Sequence, residues 1–403
     1  MNKNLHVAFD DKFIDYIINI ANDLKISEDR FVIFGALPSR HVKNTNVEFL
    51  DFGREDFWAE IGDVNKYNNV FIHFVGLPMA KFVNRLPKDL TIVWCFWGGE
   101  AFSLSCFEMS HFESMTSRYV SLKKHLLDKK NFDFKWSYLF HPFRFYYAFN
   151  AVKKHNDLKS IERHDDLKSK AEDESTILKA LRRMNYFGHF IPNDYDLLKT
   201  KLEINARMIP FHYASVEKMI EGVEIDTTRN RKNILIGNSD TPTNNHLDVF
   251  DKLNVADLGE REIICPLSYN KGEYAHYIAS VGKEKFGANF NPLLEFMDKV
   301  SYNTLTSSVS IAIMYHIRSQ AAGNVVVCMW FGVKVYMHSK STLYQMLKEE
   351  GAPVYAFDLD FDSKKSITFN PLTEEETRKG QEVLLRLFSY ENQKKKLARL
   401  LTL

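Results

Sequence analysis

The sequence predicts an α/β protein in which two Rossmann-like domains face a common cleft. Short apolar runs alternate with segments of 3.6-residue periodicity, the pattern of βαβ units around a parallel sheet. The alternation is interrupted once and then resumes, and a chain of 403 residues is longer than one hydrophobic core usually supports. We therefore expect a first domain over residues 1–225 and a second domain over residues 226–403.

Apolar runs closed by polar or turn residues predict the strands of the first domain. They are LHVAF (5–9), RFVIFG (30–35), NVFIHFVG (69–76) and LTIVWCFWGG (90–99), with helical segments such as DKFIDYIINIANDL (11–24) between them. Further strand–helix patterns occupy 185–202 and 207–215, and the polar segment 221–232 is the expected linker.

The same pattern resumes in the second domain. Its predicted strands are NILIG (233–237), EIICPL (262–267), SIAIMYHI (310–317) and KVYM (334–337), with helices near 244–256, 273–285, 319–331 and 341–349. One closing helix is predicted over 373–401, because acids fill its first turn and basic residues are frequent near its end.

The formal net charge is only +1, so the molecule as a whole lacks the basic character of a nucleic-acid-binding protein. Residues 118–170 are an exception, because basic side chains there are interleaved with Phe, Tyr and Trp. This insertion in the first domain fits a surface that rests on anionic lipid. It equally fits a solvated helical hairpin packed on the domain.

Cysteine usage and the absence of targeting segments bear on the compartment. The four cysteines are far apart and form no C-x-x-C pair, which predicts reduced core residues in a reducing compartment. The N-terminal residues lack a long apolar signal sequence, and no apolar run is long enough to span a bilayer. We expect a cytoplasmic protein or one on the cytoplasmic face of a membrane.

The first candidate site is the polar turn GNSDTPTNN (237–245) between a predicted strand and a helix. In open α/β sheets, ligands bind beyond the carboxyl ends of strands, where the N-termini of helices favour phosphate. Gly237 would permit a sharp turn and close approach of a ligand. Asn238, Ser239, Thr243 and Asn244 offer hydrogen bonds to a nucleotide or sugar. An ordinary helix cap or Asx-turn is the structural alternative.

The second candidate site is the segment MYHIRSQAAGNVVVCMWFG (314–332), where another strand meets a turn of small residues that opens an apolar helix. Arg318 is a permanent cation at the end of this strand and suits a pyrophosphate. His316 could bind a phosphate or ribose, and Gly323 and Asn324 suit close approach to the backbone. A structural ion pair of Arg318 is the alternative.

The third candidate site follows the strand TIVWCFW, where Trp97, Gly98 and Gly99 lead into Glu100. A carboxylate on a tight turn at the carboxyl end of a strand is in the position of a general base facing the cleft. Capping of the next helix is the alternative role of Glu100. His73 lies near the matching end of the preceding strand, either as an acid/base group or as a satisfied core histidine.

The sequence contains no metal-binding signature. It has no H-E-x-x-H, no clustered Cys and His, and no D-x-D of the kind that holds a divalent ion on a nucleoside diphosphate. If a diphosphate leaves in this cleft, Arg318 and helix dipoles must stabilise its charge.

These three segments, in this order, resemble the 4-alpha-L-fucosyltransferase family (glycosyltransferase family 56) of bacterial enzymes. ILIGNSDTPTNNHL resembles the family's I-L-V-G-N-S segment, and IICPLSY resembles its V-x-x-P-x-x-Y strand. YHIRSQAAGN is similar to R-Q-Q-x-x-G, with Ser319 in place of Gln. IVWCFWGGEAF resembles W-x-x-W-G-A-D-L-Y, with Glu100 in place of Asp. FIHFVG is similar to F-x-H-G, with Phe74 in place of Gly.

The resemblance implies a GT-B fold and an inverting, metal-independent transfer of a sugar such as N-acetyl-4-aminofucose. The donor would be a nucleotide diphosphate-sugar of dTDP or UDP, with no other cofactor. The acceptor would be a polyprenyl-pyrophosphate-linked saccharide at the cytoplasmic side of a bacterial inner membrane, in surface-glycan assembly. The protein would lie peripherally on that anionic membrane, and no nucleic acid would take part.

Site residues are carried over from the matching motifs. Glu100 would be the catalytic base with His73 beside it, and Trp97, Gly98 and Gly99 would bind the acceptor. The second domain would bind the donor through Gly237, Asn238, Ser239, Thr243, Asn244, His246, Leu267, Ser268, Tyr269, Tyr277, His316, Arg318, Gln320, Gly323 and Asn324.

Two other functions remain compatible with this sequence. A nucleotide-sugar epimerase or hydrolase would share the fold and the donor site but would need no acceptor. A catalytically silent binding protein of a glycan-assembly complex would bind the donor without turnover.

Overall fold

The protein is described by a computed structural model that covers residues 1–11, 13–35, 37–51, 57–128, 163–223, 231–253, 258–269 and 272–403. Most of the basic aromatic insertion and residues 224–230 of the expected linker lie outside the described residues. Two parallel sheets with helices on both faces form the fold, as the sequence predicts.

The first sheet contains seven strands in the order β3-β2-β1-β4-β5-β6-β7, and each neighbouring pair is parallel. The strands are β1 (Asn2–Phe9), β2 (Ser27–Phe34), β3 (Glu48–Leu50), β4 (Asn69–His73), β5 (Thr91–Cys95), β6 (Tyr186–His189) and β7 (Arg207–Pro210). The central strands β1, β4 and β5 are nearly continuous runs of buried apolar residues, as expected of a sheet covered on both faces.

Helices connect these strands and cover the sheet. They are α1 (Ile14–Leu24), α2 (Phe57–Ile61), α3 (Leu77–Arg85), α4 (Gly99–Phe102), α5 (Ser114–Asp128), α6 (Arg163–Leu181), α7 (Pro192–Leu202) and α8 (Val216–Ile220), with 3₁₀ turns at Val64–Lys66 and Ser105–Phe107.

The second sheet contains six strands in the order β10-β9-β8-β11-β12-β13, again all parallel. The strands are β8 (Ile234–Ile236), β9 (Ile263–Pro266), β10 (Phe290–Leu293), β11 (Ile311–Met314), β12 (Lys334–Met337) and β13 (Val354–Ala356). Its order reverses at β8 and β11, the central pair, which is where open α/β sheets bind ligands.

The helices of the second half begin after the carboxyl ends of these strands. They are α9 (His246–Leu253), α10 (Glu273–Phe286), α11 (Lys299–Ser307), α12 (Ala322–Trp330), α13 (Thr342–Glu349), α14 (Glu374–Phe388) and α15 (Tyr390–Leu401), with 3₁₀ turns at Pro242–Asn244, Gly287–Asn289 and Ser366–Phe369.

Two helices each pack against the sheet of the other half of the chain. Helix α5 precedes β6 but packs against α9, and its Tyr119 joins the apolar core of the second sheet. Helix α15 follows the second sheet, but its Leu397 and Leu400 join a core cluster with Ile14 of the first. The chain therefore crosses between the two halves more often than the linear division at 225/226 implies.

The structure corrects the sequence prediction at the closing helix and at three strands. The single helix predicted over 373–401 is broken at Ser389, whose extended backbone and hydroxyl cap α15. Strands β3, β10 and β13 were not predicted; each is a short strand at the edge of its sheet.

Candidate active site

The polar turn after β8 is wound tightly around Gly237. Gly237 has φ +69° and its N–H donates to the carbonyl of Ile313 at 2.9 Å. A Cβ atom at this position would lie 2.6 Å from Asn244 Oδ1 and 2.8 Å from His246 Nε2. Both the left-handed backbone and the close approach of these side chains therefore require glycine.

Asn244 organises the turn from inside. It is fully buried, and its Oδ1 accepts from the N–H of Asn238 at 2.9 Å. Its Nδ2 donates to Ser239 Oγ at 3.1 Å and to the carbonyl of Thr241 at 3.0 Å. Asn244 and Ser239 thus hold the turn from within, through bonds that differ from the i+2 bond of an Asx-turn, while Asn238 and Thr243 are half-buried.

Two buried, neutral histidines support the turn. His316 Nε2 lies 2.9 Å from Asn244 Oδ1 and 3.1 Å from Asn238 Oδ1, so the ring proton is on Nε2. Burial, with a further contribution from the cation of Arg318, lowers the pKa of His316 to about 3. Burial also lowers the pKa of His246 to about 3, and its Nδ1 lies 3.2 Å from the hydroxyl of Tyr274.

Gln320 joins the turn after β8 to the segment after β11. Thr243 Oγ1 donates to Gln320 Oε1 at 2.8 Å, and Gln320 Nε2 donates to Asn238 Oδ1 at 3.3 Å. Strands β8 and β11 are paired in the sheet. The prediction that these two segments lie one strand apart is confirmed.

Arg318 lies at the boundary between the two halves. Its guanidinium is half-buried, with Cζ 5.8 Å from the ring centre of Phe102 and Nη1 3.4 Å from the carbonyl oxygen of Ser319. Among the residues that the structure describes, no carboxylate is within ion-pair distance of it. Burial lowers the pKa of Arg318, and the more distant carboxyls of Asp194 and Glu100 oppose this effect. Within the described part of the chain, Arg318 is thus a cation without a direct carboxylate partner.

Helix α12 presents its N-terminus next to Arg318. It begins after Ala321, which has φ +59°, and no side chain caps its first turn. A Cβ atom at Gly323 would meet no atom within 4 Å, so the space beside this turn is open. Asn324 is directed elsewhere, because its Nδ2 donates to the hydroxyl of Tyr302 at 2.9 Å. An uncapped helix start next to an arginine favours an anion.

The two oxygens of Glu100 have different surroundings. Its side chain is buried, and Oε1 accepts from Trp94 Nε1 at 3.1 Å and from the N–H of Trp97 at 3.0 Å. Oε2 is buried with no hydrogen-bond partner among the described residues. Burial raises the pKa of Glu100 to about 7, against the opposing effect of these donors. One oxygen therefore caps the turn, and the other belongs to a carboxyl group that exchanges a proton near neutral pH.

The turn that contains Glu100 touches Arg318 of the second half. Gly98 has φ +105°, and a Cβ atom there would lie 3.6 Å from Arg318 Nη1. The site residues predicted from the ends of β5 and β11 are thus brought together across the boundary between the two sheets.

His73 is placed inside the first half of the protein. Its Nε2 lies 3.1 Å from His6 Nδ1, and its Nδ1 lies 3.0 Å from the hydroxyl of Tyr213. Burial, with a further contribution from His6, lowers the pKa of His73 well below its usual value. Both ring nitrogens are occupied, which is the satisfied core histidine that the sequence left open as an alternative.

The segment after β9 contributes less to the site than the resemblance implies. Leu267 is fully buried in the core of the second sheet, and Tyr277 is buried there as well, stacked on Tyr119 with ring centres 4.9 Å apart. Both side chains therefore point into the core of the second sheet rather than into the cleft. Ser268 is half-buried and Tyr269 is 69% exposed, so these two side chains are accessible.

Two buried polar residues tie the halves together; the sequence analysis missed Asp194 and placed Asn245 only in the polar turn. Asp194 of α7 accepts hydrogen bonds from Ser319 Oγ and, at 2.5 Å, from Thr342 Oγ1. Asn245 donates to the carbonyl of Tyr315 at 3.0 Å and accepts from the N–H of Glu113 at 2.9 Å. Nothing in their local sequence signals such long-range partners.

No helix in the described part of the chain is long and apolar enough to cross a membrane.

Comparisons with known proteins agree with the resemblance seen in the sequence. The model of the family described as 4-alpha-L-fucosyltransferase, glycosyl transferase group 56, matches residues 194–369. This range includes the polar turn, the end of β9 and Arg318.

Solved structures show the same fold over the whole chain at low sequence identity. A glycosyltransferase from Rickettsia africae ESF-5 superposes with a TM-score of 0.60 at 10% identity, covering 100% of this chain and 98% of that chain. Anabaena HepE, in complex with UDP and glucose, gives a TM-score of 0.55 at 11% identity and covers 100% of both chains. Sucrose-phosphate synthase from Thermosynechococcus elongatus gives 0.57 at 7% identity, covering 99% and 98%.

The likeness to these structures shows the GT-B fold, and the family match adds the enzyme class. The chain is a nucleotide-sugar glycosyltransferase of the GT-B fold, and its residues 194–369 match the model of the 4-alpha-L-fucosyltransferase family.

Proposed function

We propose that this enzyme transfers a deoxyamino sugar, such as N-acetyl-4-aminofucose, from a nucleoside diphosphate to a polyprenyl-linked saccharide, with inversion at the anomeric carbon. One observation supports this most strongly. Arg318, which has no direct carboxylate partner among the described residues, lies beside the Gly98 turn that leads into Glu100. A binder of the leaving diphosphate and a base for the acceptor thus face each other, as a single displacement requires.

Glu100 is the proposed general base. A carboxyl whose pKa is about 7 is ionised in a large fraction of molecules at neutral pH and still binds a proton readily. Its Oε1 is held by Trp94 and Trp97, so Oε2 is the oxygen that takes the proton from the acceptor hydroxyl. As the acceptor hydroxyl loses its proton to Glu100, its oxygen forms the new bond to the anomeric carbon. The bond from that carbon to the phosphate oxygen breaks at the same time.

Arg318 and the start of α12 are proposed to stabilise the departing diphosphate. The planar guanidinium can donate two parallel hydrogen bonds to phosphate oxygens. The free N–H groups in the first turn of α12 and the positive end of its dipole act on the same charge. We therefore propose a reaction without a metal or a further cofactor, in which these groups stabilise the charge that develops.

The nucleotide is proposed to lie along the outer face of the polar turn. Asn238, Thr243 and Gln320 are half-buried and joined to one another by hydrogen bonds, so their positions are fixed before a ligand arrives. The buried residues of this turn, Ser239, Asn244 and His246, support this surface from beneath. A complex of Anabaena HepE with UDP and glucose supports a nucleotide sugar as the donor. We propose UDP or dTDP as its carrier, as the family resemblance implies.

The acceptor is proposed to be a polyprenyl-pyrophosphate-linked saccharide used in surface-glycan assembly. It would bind on the first half, next to Trp97, Gly98 and Gly99, with the enzyme lying peripherally on the cytoplasmic face of a bacterial inner membrane. Helix α15 contributes at most its basic side to such a surface, because its apolar residues are packed against the first sheet.

A paired binding and transfer experiment tests the proposal. A thermal-shift panel of UDP, dTDP and GDP with their sugars identifies the donor, because ligand binding raises the stability of the native state. The identified donor is then incubated with and without a polyprenyl-linked saccharide on liposomes. Sugar transfer only when acceptor is present supports the proposal. Consumption of donor without acceptor would indicate an epimerase or hydrolase, and binding without turnover would indicate a silent binding protein.

A further inference from the structure

Phe74, at the carboxyl end of β4, has a backbone conformation that is unusual for a bulky residue. Its φ is +67°, in the left-handed region that glycine occupies readily and a Phe side chain does not. The other non-glycine residues with positive φ are at helix ends or in the polar turn. Such conformations persist only where the surrounding structure holds them, and they concentrate at functional sites.

The ring of Phe74 fits between two glycines. A Cβ atom on Gly76 would lie 3.3 Å from Phe74 Cε1, and a Cβ atom on Gly99 would lie 3.6 Å from Phe74 Cε2. A side chain at position 76 would crowd the ring, and one at position 99 would reach it. Glycine at these two positions thus leaves space for the ring of Phe74, although the backbone conformation of Phe74 is one that a bulky residue rarely adopts.

The same ring forms an aromatic corner with two others. Its centre is 5.9 Å from that of Phe9 with the planes at 80°, and 6.1 Å from that of Trp97 with the planes at 69°. These three residues follow or close β1, β4 and β5, which are adjacent in the sheet. Phe74 is only half-buried, so part of its ring remains open to solvent.

This corner adjoins the groups proposed to carry out the transfer. Gly99, which borders the ring of Phe74, follows Gly98, which borders Arg318 of the second half. Glu100 comes next in the chain. An acceptor whose hydroxyl reaches Glu100 therefore has its sugar ring close to Phe74.

We propose that Phe74 determines acceptor specificity by receiving the apolar face of the acceptor's pyranose ring. This inference rests on the proposed function. The C–H groups on one face of a hexose carry a small positive charge, which is attracted to the negative face of an aromatic ring. Phe9 and Trp97 fix the orientation of that ring. A saccharide with an uninterrupted C–H face next to the reacting hydroxyl is preferred over one with an axial hydroxyl there.

The test compares Phe74→Tyr, which keeps the aromatic face, with Phe74→Leu, which keeps apolar volume without it. The probes are a disaccharide diphosphate with a short prenyl chain and the same disaccharide diphosphate without the chain. We expect the Leu variant to raise the acceptor KM about three- to tenfold, the range of an aromatic contact of 0.5–1.5 kcal/mol. The Tyr variant should retain the wild-type acceptor KM, and the donor KM should be unchanged in both.

Phe286→Leu is the matched control, because Phe286 is a half-buried ring that packs on Phe250 in the second half. It should lower thermal stability without changing the acceptor KM. An unchanged acceptor KM in Phe74→Leu would overturn the proposal. If Phe74→Leu raises the acceptor KM for the prenylated probe but not for the chain-free probe, Phe74 contacts the lipid chain rather than the sugar. That result would overturn the proposal as well.

Saccharide binding distinguishes failure of this inference from failure of the proposed function. Calorimetry of the chain-free disaccharide diphosphate, with UDP present, needs no turnover. If wild type binds it but transfers no sugar, the proposed function fails, and weaker binding by Phe74→Leu alone still supports the contact. If wild type transfers sugar and the two Phe74 variants bind the probe equally, only the contact is refuted.

Discussion

Ser319 donates a hydrogen bond through its hydroxyl to Oδ2 of Asp194, and this bond joins the second half of the protein to the first. Asp194 is fully buried, and its other oxygen accepts from Thr342. Because Ser319 directly follows Arg318, the bond also holds the peptide that carries the proposed phosphate ligand. Contact between the halves and the proposed donor binding therefore involve neighbouring residues of one segment.

Ser319→Ala should lower kcat/KM for the donor by more than the loss of stability alone would explain. A hydrogen bond to a charged group is worth about 1.5–3 kcal/mol, so we expect kcat/KM for the donor to fall about tenfold or more. Thr342→Val is the control, because it removes a different hydrogen bond to Asp194 but is not adjacent to Arg318. The contact between His189 Nε2 and Asp194 Oδ2, at 2.8 Å, is left in place by both substitutions. Equal losses of donor affinity in the two variants, measured by calorimetry, would argue against a positioning role for Ser319.

The catalytic rate should depend on the protonation of Glu100. Its pKa of about 7 predicts that kcat/KM rises with pH through neutrality, because the protonated carboxyl cannot accept a proton. Glu100→Gln should abolish transfer and leave donor binding intact. A pH–rate profile of the wild type, with donor affinity of the variant, checks both. Residual transfer with an unchanged profile in Glu100→Gln would identify another base.

The free energy of unfolding should also depend on the protonation of Glu100. Between the ordinary value of 4.5 and about 7, the native state holds a proton on Glu100 that the unfolded chain has lost. The contribution of this group to the free energy of unfolding therefore falls as pH rises through that window and is level above it. Glu100→Gln lacks the effect, so its stability relative to wild type should increase from pH 4.5 to 7. Denaturant unfolding of both proteins across this range measures the difference.

Arg318 should be irreplaceable even by another cation. Arg318→Ala is expected to weaken nucleoside diphosphate binding about a hundredfold, as for a lost charged hydrogen-bond pair. Arg318→Lys keeps the charge but loses the planar fork, so it should recover only part of the affinity. Arg182→Ala, which breaks an exposed pair with Glu203, is the control and should bind normally. Calorimetry with UDP and dTDP gives the comparison.

Alanine should have opposite effects on stability at two glycines of the proposed donor site. Gly237→Ala forces a side chain into a left-handed backbone and against Asn244 and His246, so we expect lower stability and lost donor binding. Gly323→Ala lies in α12 with open space around it, so stability should rise by up to about 1 kcal/mol. Donor affinity should nevertheless fall, because the methyl group occupies the space proposed for the diphosphate. Thermal melts with and without nucleotide separate the two effects.

Local pattern was sufficient to predict the strands that are buried on both faces. KVYM, predicted as a strand over 334–337, is β12 with the same bounds, because a short apolar run between turns has few alternatives. Topology then places the ends of β8 and β11 side by side, so the adjacency of Asn238 and Gln320 was predictable. Short edge strands such as β13 were not, because their pairing is decided by the sheet rather than by their own residues.

Contacts between segments that are distant in the chain could not be predicted from the local sequence pattern. Asp194 reads as an ordinary residue in the first turn of a helix, yet its partners Ser319 and Thr342 lie in the other half of the protein. The apolar run around His73 was compatible with both a core role and a catalytic one, and only the bonds to His6 and Tyr213 distinguish them. The left-handed backbone of Phe74 has no signal of its own in the sequence.

The return of α15 to the first sheet affects how the protein is made. Leu397, Leu400 and Leu401 complete an apolar cluster with Ile14 and Ile17, and Asn4 donates to the carbonyl of Leu401. On the ribosome, that face of the first sheet stays uncovered while the whole second half is synthesised. The two halves are therefore expected to reach their native state together rather than one after the other, and a nascent chain stalled before residue 390 should recruit a chaperone.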